Sequence, residues 1–234
     1  MGEVARRAGW HLPLAARFFI SRREDRDEDC CGCRVRIMNQ EEIRNVIVYE
    51  ILIPSLRTLY AEDYDNIRFG ASERNICARL AHHMENTMRT YDSRHNEPIF
   101  EGYYADVEYN RMGNGDLKHY EDSEHRPRYM VSDLLIQKRG YGRNLLAVEM
   151  KRKGNSRKVW EDKNRLRSLV SSPREGYMEQ RCIHDTLLGV FITYSANGVQ
   201  LELFENKRGV GVNTGDIVLL YERHDDGQGE LVRV

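Results

Sequence analysis

The tightest constraint on this chain is the stretch from Met130 to Lys153. Two apolar runs, Leu134 to Ile136 and Leu145 to Val148, flank a basic connector containing Gly140 and Gly142. Short apolar runs bounded in this way read as a β-hairpin with a longer loop. Folding it about Tyr141 sets Leu134 against Val148, Leu135 against Ala147, Ile136 against Leu146 and Asp133 against Glu149. Side chains alternate along a strand, so Asp133 and Glu149 share one face, and Lys151 shares it with them. Two carboxylates side by side on buried strands repel unless a positive charge lies between them, and a divalent metal is the natural candidate. An ordinary inter-strand ion pair is the simpler explanation, but one lysine beside two carboxylates leaves negative charge that burial penalises.

Two other segments spell E-x-K, Glu161-Asp162-Lys163 and Glu205-Asn206-Lys207. The first lies in a helical pattern. The second ends a strand, but a hairpin folded about Asn197-Gly198 puts Val190 opposite Glu205, so no second acid meets it.

The 234 residues suggest one domain with extensions, and a hydrophobic fraction of 40% suffices for a core. The net charge of −1 gives no global sign of nucleic acid. Its distribution does: from Lys138 to Arg167 eleven basic residues stand against Glu149, Glu161 and Asp162. Such a patch attracts phosphate backbones, although a basic run is more often a solvated face. Five unevenly placed cysteines argue against a disulfide scaffold and for a reducing, cytoplasmic setting. No apolar run approaches membrane-spanning length, so no membrane is expected as a partner. Met1 to Ile20 makes a poor signal peptide because His11, Pro13 and Arg17 interrupt its apolar patch.

Residues 1–37 read as a poorly structured N-terminal extension, with Met38 a candidate natural start. Cys30, Cys31 and Cys33 lack partners at zinc-ligand spacing. The domain proper is 38–234. Asn39 and Glu42 form a capping box ahead of a helix striped by Ile43, Val46, Ile47, Ile51 and Leu52, which Pro54 should end or kink. Leu56, Leu59 and Tyr60 suggest a further turn, and 61–69 a polar loop. Ser72 caps a second helix reaching about Arg89, with Ile76, Cys77, Leu80, Met84 and Met88 buried. Glu73 sits at the edge of that buried side, either as a first-turn acid favoured by the helix dipole or as a residue approaching the carboxylate pair. Phe100 to Tyr109 alternates as a strand with Asp106 and Glu108 facing solvent; Asp106 reaching the site is the lesser alternative. Residues 111–126 read as a connection. Ser156 caps a third helix anchored by Trp160, Leu166, Leu169 and Val170, while Arg157, Lys158, Lys163, Arg165 and Arg167 decorate its remainder. Strands follow at 186–194, 199–204, 217–221 and 231–234.

Ser132-Asp133 on one strand with Glu149-Met150-Lys151 ending the next resembles the PD-(D/E)XK nuclease superfamily, with Ser132 where proline is common. The resemblance covers about 72–204 and implies an α/β fold with a restriction-endonuclease-like αβββαβ core. That core is a mixed central sheet flanked by helices, here with an extra N-terminal helix and C-terminal strands. It also implies a Mg²⁺-dependent (or Mn²⁺-dependent) endonuclease acting on nucleic acid, DNA being favoured, and a homodimer in many relatives. Asp133 and Glu149 would hold the metal together with the backbone carbonyl of Met150. Lys151 would position water and stabilise charge, and Glu73 would help hold metal or water. Lys153, Arg157, Lys158 and Lys163 would hold the phosphate backbone. The competing expectation is a catalytically silent nucleic-acid-binding or assembly module on the same fold. A serine or cysteine hydrolase is set aside, since no G-x-S-x-G pattern occurs.

Overall fold

The computed structural model describes residues 38–95, 98–110, 117, 119–122, 126–138, 144–172, 186–224 and 229–234. The expectations for residues 1–37 and for the tip of the hairpin connector lie outside the described residues. Asn39 and Glu42 form the expected capping box, each side chain accepting from the other's backbone N–H at 2.9 Å, and open α1 (Gln40–Asn45). Pro54 does not stop this helix. The chain passes through wider π-type turns, Val46–Leu52, into α2 (Ile53–Glu62), with the Ile53 N–H reaching back to the Val48 carbonyl. Proline has no N–H to donate, and the widened turn accommodates the missing bond. A short helix, α3 (Tyr64–Arg68), replaces part of the expected loop. Ser72 caps α4 (Glu73–Arg94), which continues past Arg89 and buries the five residues of the predicted stripe.

The strands follow as β1 (Tyr103–Val107), β2 (His119–Glu121), β3 (Pro127–Tyr129), β4 (Leu134–Lys138) and β5 (Leu146–Arg152). After α5 (Val159–Val170) come β6 (Leu188–Ser195), β7 (Gly198–Lys207), β8 (Val210–Arg223) and β9 (Gly229–Arg233). Seven of them form one mixed, mostly antiparallel sheet in the order β1-β4-β5-β6-β7-β8-β9, flanked by helices. Only β5 and β6 run parallel, a pairing that needs a crossover, and α5 supplies it. β2 lies within the segment 111–126 read as a connection, and it pairs with β3 just beyond that segment as a separate two-stranded ribbon. No helix among the described residues is long and apolar enough to cross a membrane.

Strand alternation assigns the two faces. Leu134, Ile136, Leu146, Val148, Met150, Val190 and Ile192 pack with the π-type turns, α2 and α4. Leu135, Ala147, Phe191 and Phe204 pack on Leu166, Leu169 and Val170 of α5. Glu149 and Lys151 alternate with Met150, so they fall on the α5 side. Gly211 allows β8 to lie against the last turn of α5, because a Cβ there would stand 2.1 Å from the Arg167 carbonyl oxygen. Asp106 is buried rather than solvent-facing; it stands opposite Leu135 and accepts from Gln137 Nε2 at 2.8 Å.

The β6–β7 hairpin turns one residue earlier than expected. Ser195 faces Gly198, so Val190 meets Leu203 and not Glu205. Gly198 begins the strand at φ +135°, where a Cβ would sit 2.2 Å from the Leu219 oxygen. Glu205 stands in the ladder opposite Val212 and ion-pairs with Arg44 at 3.2 Å, so it still meets no second acid. The buried Tyr60 hydroxyl lies 2.7 Å from the Ser195 carbonyl and 2.8 Å from that of Gly198, fastening α2 to this turn. Tyr60→Phe leaves both carbonyls without that donor and is expected to cost about 1–3 kcal/mol in a urea unfolding curve.

Candidate active site at the end of β5

The register read from sequence is the one observed: Leu134 pairs with Val148, Leu135 with Ala147 and Ile136 with Leu146. Asp133 lies one residue outside that ladder. Its Oδ2 accepts the Met150 N–H at 2.7 Å, taking the place of the carbonyl that a longer β4 would have offered. A strand residue's N–H and C=O point to the same edge, so the Met150 carbonyl faces this side as well. The Met150 side chain points the other way, with its sulfur 3.5 Å from that of Cys77.

Glu149 is 1% exposed, and its Oε1 receives Arg165 Nη1 at 2.6 Å. Arg165 also donates to the Val131 carbonyl at 3.2 Å, and its Nη2 stands 3.3 Å from Asp162 Oδ1. Lys151 lies between two further acids, 3.4 Å from Asp162 Oδ2 and 3.5 Å from Glu73 Oε2. Glu73 reaches the site from the first turn of α4. Its Oε1 accepts the Arg152 N–H at 3.1 Å and Asn155 Nδ2 at 2.8 Å. Of the two expectations for Glu73, the geometry supports the approach to the site.

Two residues of this cluster are not singled out by the sequence reading. Asp162, 4% exposed, is the middle of the helical Glu161-Asp162-Lys163, and Arg165 is among the charges assigned to the helix surface. The signal was present: Asp162, Leu166 and Leu169 fall at i, i+4 and i+7, the buried stripe of α5, with Arg165 at i+3. The same periodicity puts Trp160 outside the stripe, and it is exposed rather than an anchor. Nor does Ser156 cap α5. The cap position is Lys158, in the left-handed region at φ 62°, following a turn in which Asn155 Oδ1 accepts the Arg157 N–H. Of the four cations expected at a phosphate backbone, Lys153, Arg157 and Lys158 are exposed on this loop. Lys163 points elsewhere, onto Glu202 at 2.6 Å and over the Phe191 ring.

Burial governs the electrostatics. It pushes Glu149 up to about 8, against the pull of Arg165 and with help from Asp133 and Asp162. It also raises Asp133, opposed by the Met150 N–H and Lys151. Burial alone would lower Lys151, but Asp162, Asp133 and Glu73 hold its ammonium above the ordinary value. Glu73 goes the other way: burial raises it, but the Arg152 N–H, Asn155 and Lys151 outweigh that and lower it. Four carboxylates thus surround two cations, and a buried excess of negative charge is relieved by protonation or by a further cation.

Among the described residues no three His, Cys, Asp or Glu side chains are grouped so as to hold a metal ion by themselves. Mg²⁺ is commonly held by one or two carboxylates, the remaining positions going to water and substrate phosphate. Asp133, Glu149 and the Met150 carbonyl fit that mode as a hard-oxygen donor set, and the buried Asp162 Oδ2, which faces Lys151 Nζ at 3.4 Å, adds anionic character. Comparison of the chain with known protein families, with characterised proteins and with solved structures finds no match in any of the three.

A carboxyl raised in the fold binds its proton more tightly there than in the unfolded chain, so stability falls as pH climbs between the two values. Without divalent cations, the melting temperature should therefore decline from pH about 5 to about 8. Glu149→Gln should flatten that decline. Arg165→Ala should cost about 3–5 kcal/mol at pH 8, where it strands a buried anion, and clearly less at pH 5. Urea unfolding at both pH values measures the difference.

Proposed function

We propose that this chain is a metal-dependent nuclease that hydrolyses phosphodiester bonds, with DNA the favoured substrate and a restriction-endonuclease-like core running from α4 to β7. The observation that carries the reading is the convergence of Asp133, Glu149, Lys151 and Glu73 at the end of β5, built from three separate elements. The supporting order is α4, β1, β4, β5, α5, β6, with β5 and β6 parallel.

Asp133, Glu149 and the Met150 carbonyl would hold Mg²⁺, which supplies Lewis-acid polarisation of the phosphate and a water acidified toward hydroxide. Lys151 keeps its proton, so it acts by orienting that water and by countering charge as it develops on the phosphate oxygens. Glu73 and Asp162 hold the ammonium in place from both sides. Arg165 fixes Glu149 and keeps the excess negative charge from expelling the carboxylate from the sheet. Lys153, Arg157 and Lys158 lie on the loop beside Glu73 and suit backbone phosphates, which they would neutralise without reading sequence.

The contact between Arg165 and Glu149 also favours a second reading, a catalytically silent binding module in which an ion pair has replaced the metal. Divalent cations separate the two. For the nuclease, Mg²⁺ or Mn²⁺ raises the melting temperature and supports cleavage of plasmid or single-stranded DNA. Asp133→Asn and Glu149→Gln should then each lower cleavage by about a thousandfold, equivalent to ~4 kcal/mol, with DNA binding kept. Lys151→Ala should lower turnover by about 10²–10³ while metal affinity changes little. Absence of both stabilisation and cleavage leaves the binding module standing.

A further inference from the structure

We infer that the nucleic acid reaches this site as a single strand whose bases stack on Phe69 and Trp160. The inference rests on reading the Asp133/Glu149 cluster as a nucleic-acid site, and it adds the class of substrate. Phe69, which closes α3, is 75% exposed, and Trp160, in the first turn of α5, is 68% exposed. Covering apolar rings of this size is favourable, so two of them left in water beside a charged cluster are well suited to a flat, partly apolar ligand.

The two rings lie on segments tied together beside the cluster. Arg152, the last residue of β5, donates Nη2 to the Ile67 carbonyl at 3.5 Å, and its guanidinium lies against Gly70, where a Cβ would be 2.3 Å from Nη1. Glu73 Oε1 binds both the Arg152 N–H and Asn155 Nδ2, joining the start of α4 to the loop that follows β5. That loop exposes Lys153, Arg157 and Lys158 and leads straight into Trp160. On the segment that closes α3, the Arg68 guanidinium stands 5.3 Å from the Phe69 ring centroid. Rings and cations thus occur together on both segments, next to the Glu73–Lys151 pair.

That combination is the one single strands require. Cations follow the backbone, and each base offers a π-face that stacks on an aromatic side chain. In a duplex those faces are already stacked on each other, and only phosphates and groove edges remain for the protein to touch. The exposed rings therefore select unpaired bases, while the lysines and arginines alone would accept either form.

The test uses the full chain in EDTA and labelled thymidine oligonucleotides of about twenty nucleotides, against an abasic strand and a duplex of equal length. The expected result is tighter binding of the thymidine strand than of either comparison. Phe69→Ala and Trp160→Ala should each weaken it about tenfold, leave the abasic strand's affinity unchanged, and be matched by full retention in Trp160→Tyr. Binding should also quench tryptophan fluorescence in the parent and not in Trp160→Ala. Equal affinity for the abasic strand or the duplex, or alanine variants that bind as the parent does, overturns the inference. A separate cleavage assay with Mg²⁺ keeps the two readings apart. Base-dependent binding without cleavage sinks the nuclease and leaves the stacking site, whereas cleavage without base dependence does the reverse.

Discussion

A carboxylate in the middle of a sheet is the constraint to which the rest of this structure answers. Glu149 is fully enclosed on β5, and an ion of that kind is tolerated only beside a positive charge held in good geometry. Arg165 provides that charge from α5 at 2.6 Å. The helix is held at that height by its apolar stripe on Leu135, Ala147 and Phe191, and by the absence of a side chain at Gly211. The parallel pairing of β5 with β6 is what forces a helix over this face, since two parallel strands cannot be joined by a tight turn. The topology and the charge pair are therefore one arrangement: the crossover that links the strands also brings the cation.

The end of β4 matters as much as its middle. The ladder stops at Leu134, so the Met150 N–H has no carbonyl across from it, and the Asp133 side chain takes that place. A strand two residues longer, reaching Ser132, would satisfy Met150 with backbone and leave Asp133 no reason to turn inward. The second acid is thus positioned by a local deficit in the sheet's hydrogen bonding, and its charge acts on Lys151 and Glu149 as a consequence.

Much of this was legible in the sequence wherever a signal is local or periodic. The hairpin register followed from two apolar runs and a connector, the capping box from Asn39 and Glu42, and the α4 stripe from five apolar residues at helical spacing. What escaped depended on contacts between distant elements. Arg165 reads as decoration, and Asp162 has no assigned role, because charges on a helix are usually solvated and only their alignment with Leu166 and Leu169 distinguishes them. Asp106 read as solvent-facing because its donor, Gln137, comes from a strand thirty-one residues away. Pro54 read as a break because the sequence does not announce a π-type turn able to absorb a missing N–H.

The charge count carries the argument one step further. Glu73, Asp133, Glu149 and Asp162 against Lys151 and Arg165 leave two negative charges over when all are ionised. Lys151 and Arg165 are each shared between two acids, so neither can neutralise the surplus by moving. A purely structural cluster has a simpler solution available, which is to carry fewer acids, and buried pairs replaced by apolar residues are often no less stable. Under the proposed function, the surplus carboxylates at this strand end, next to the exposed cations of the following loop, would let a dication and a phosphate share the site. Without an added cation, burial and the neighbouring acids favour a proton on Glu149; under the proposed function a metal would compete with that proton, and a rise in pH would favour the metal.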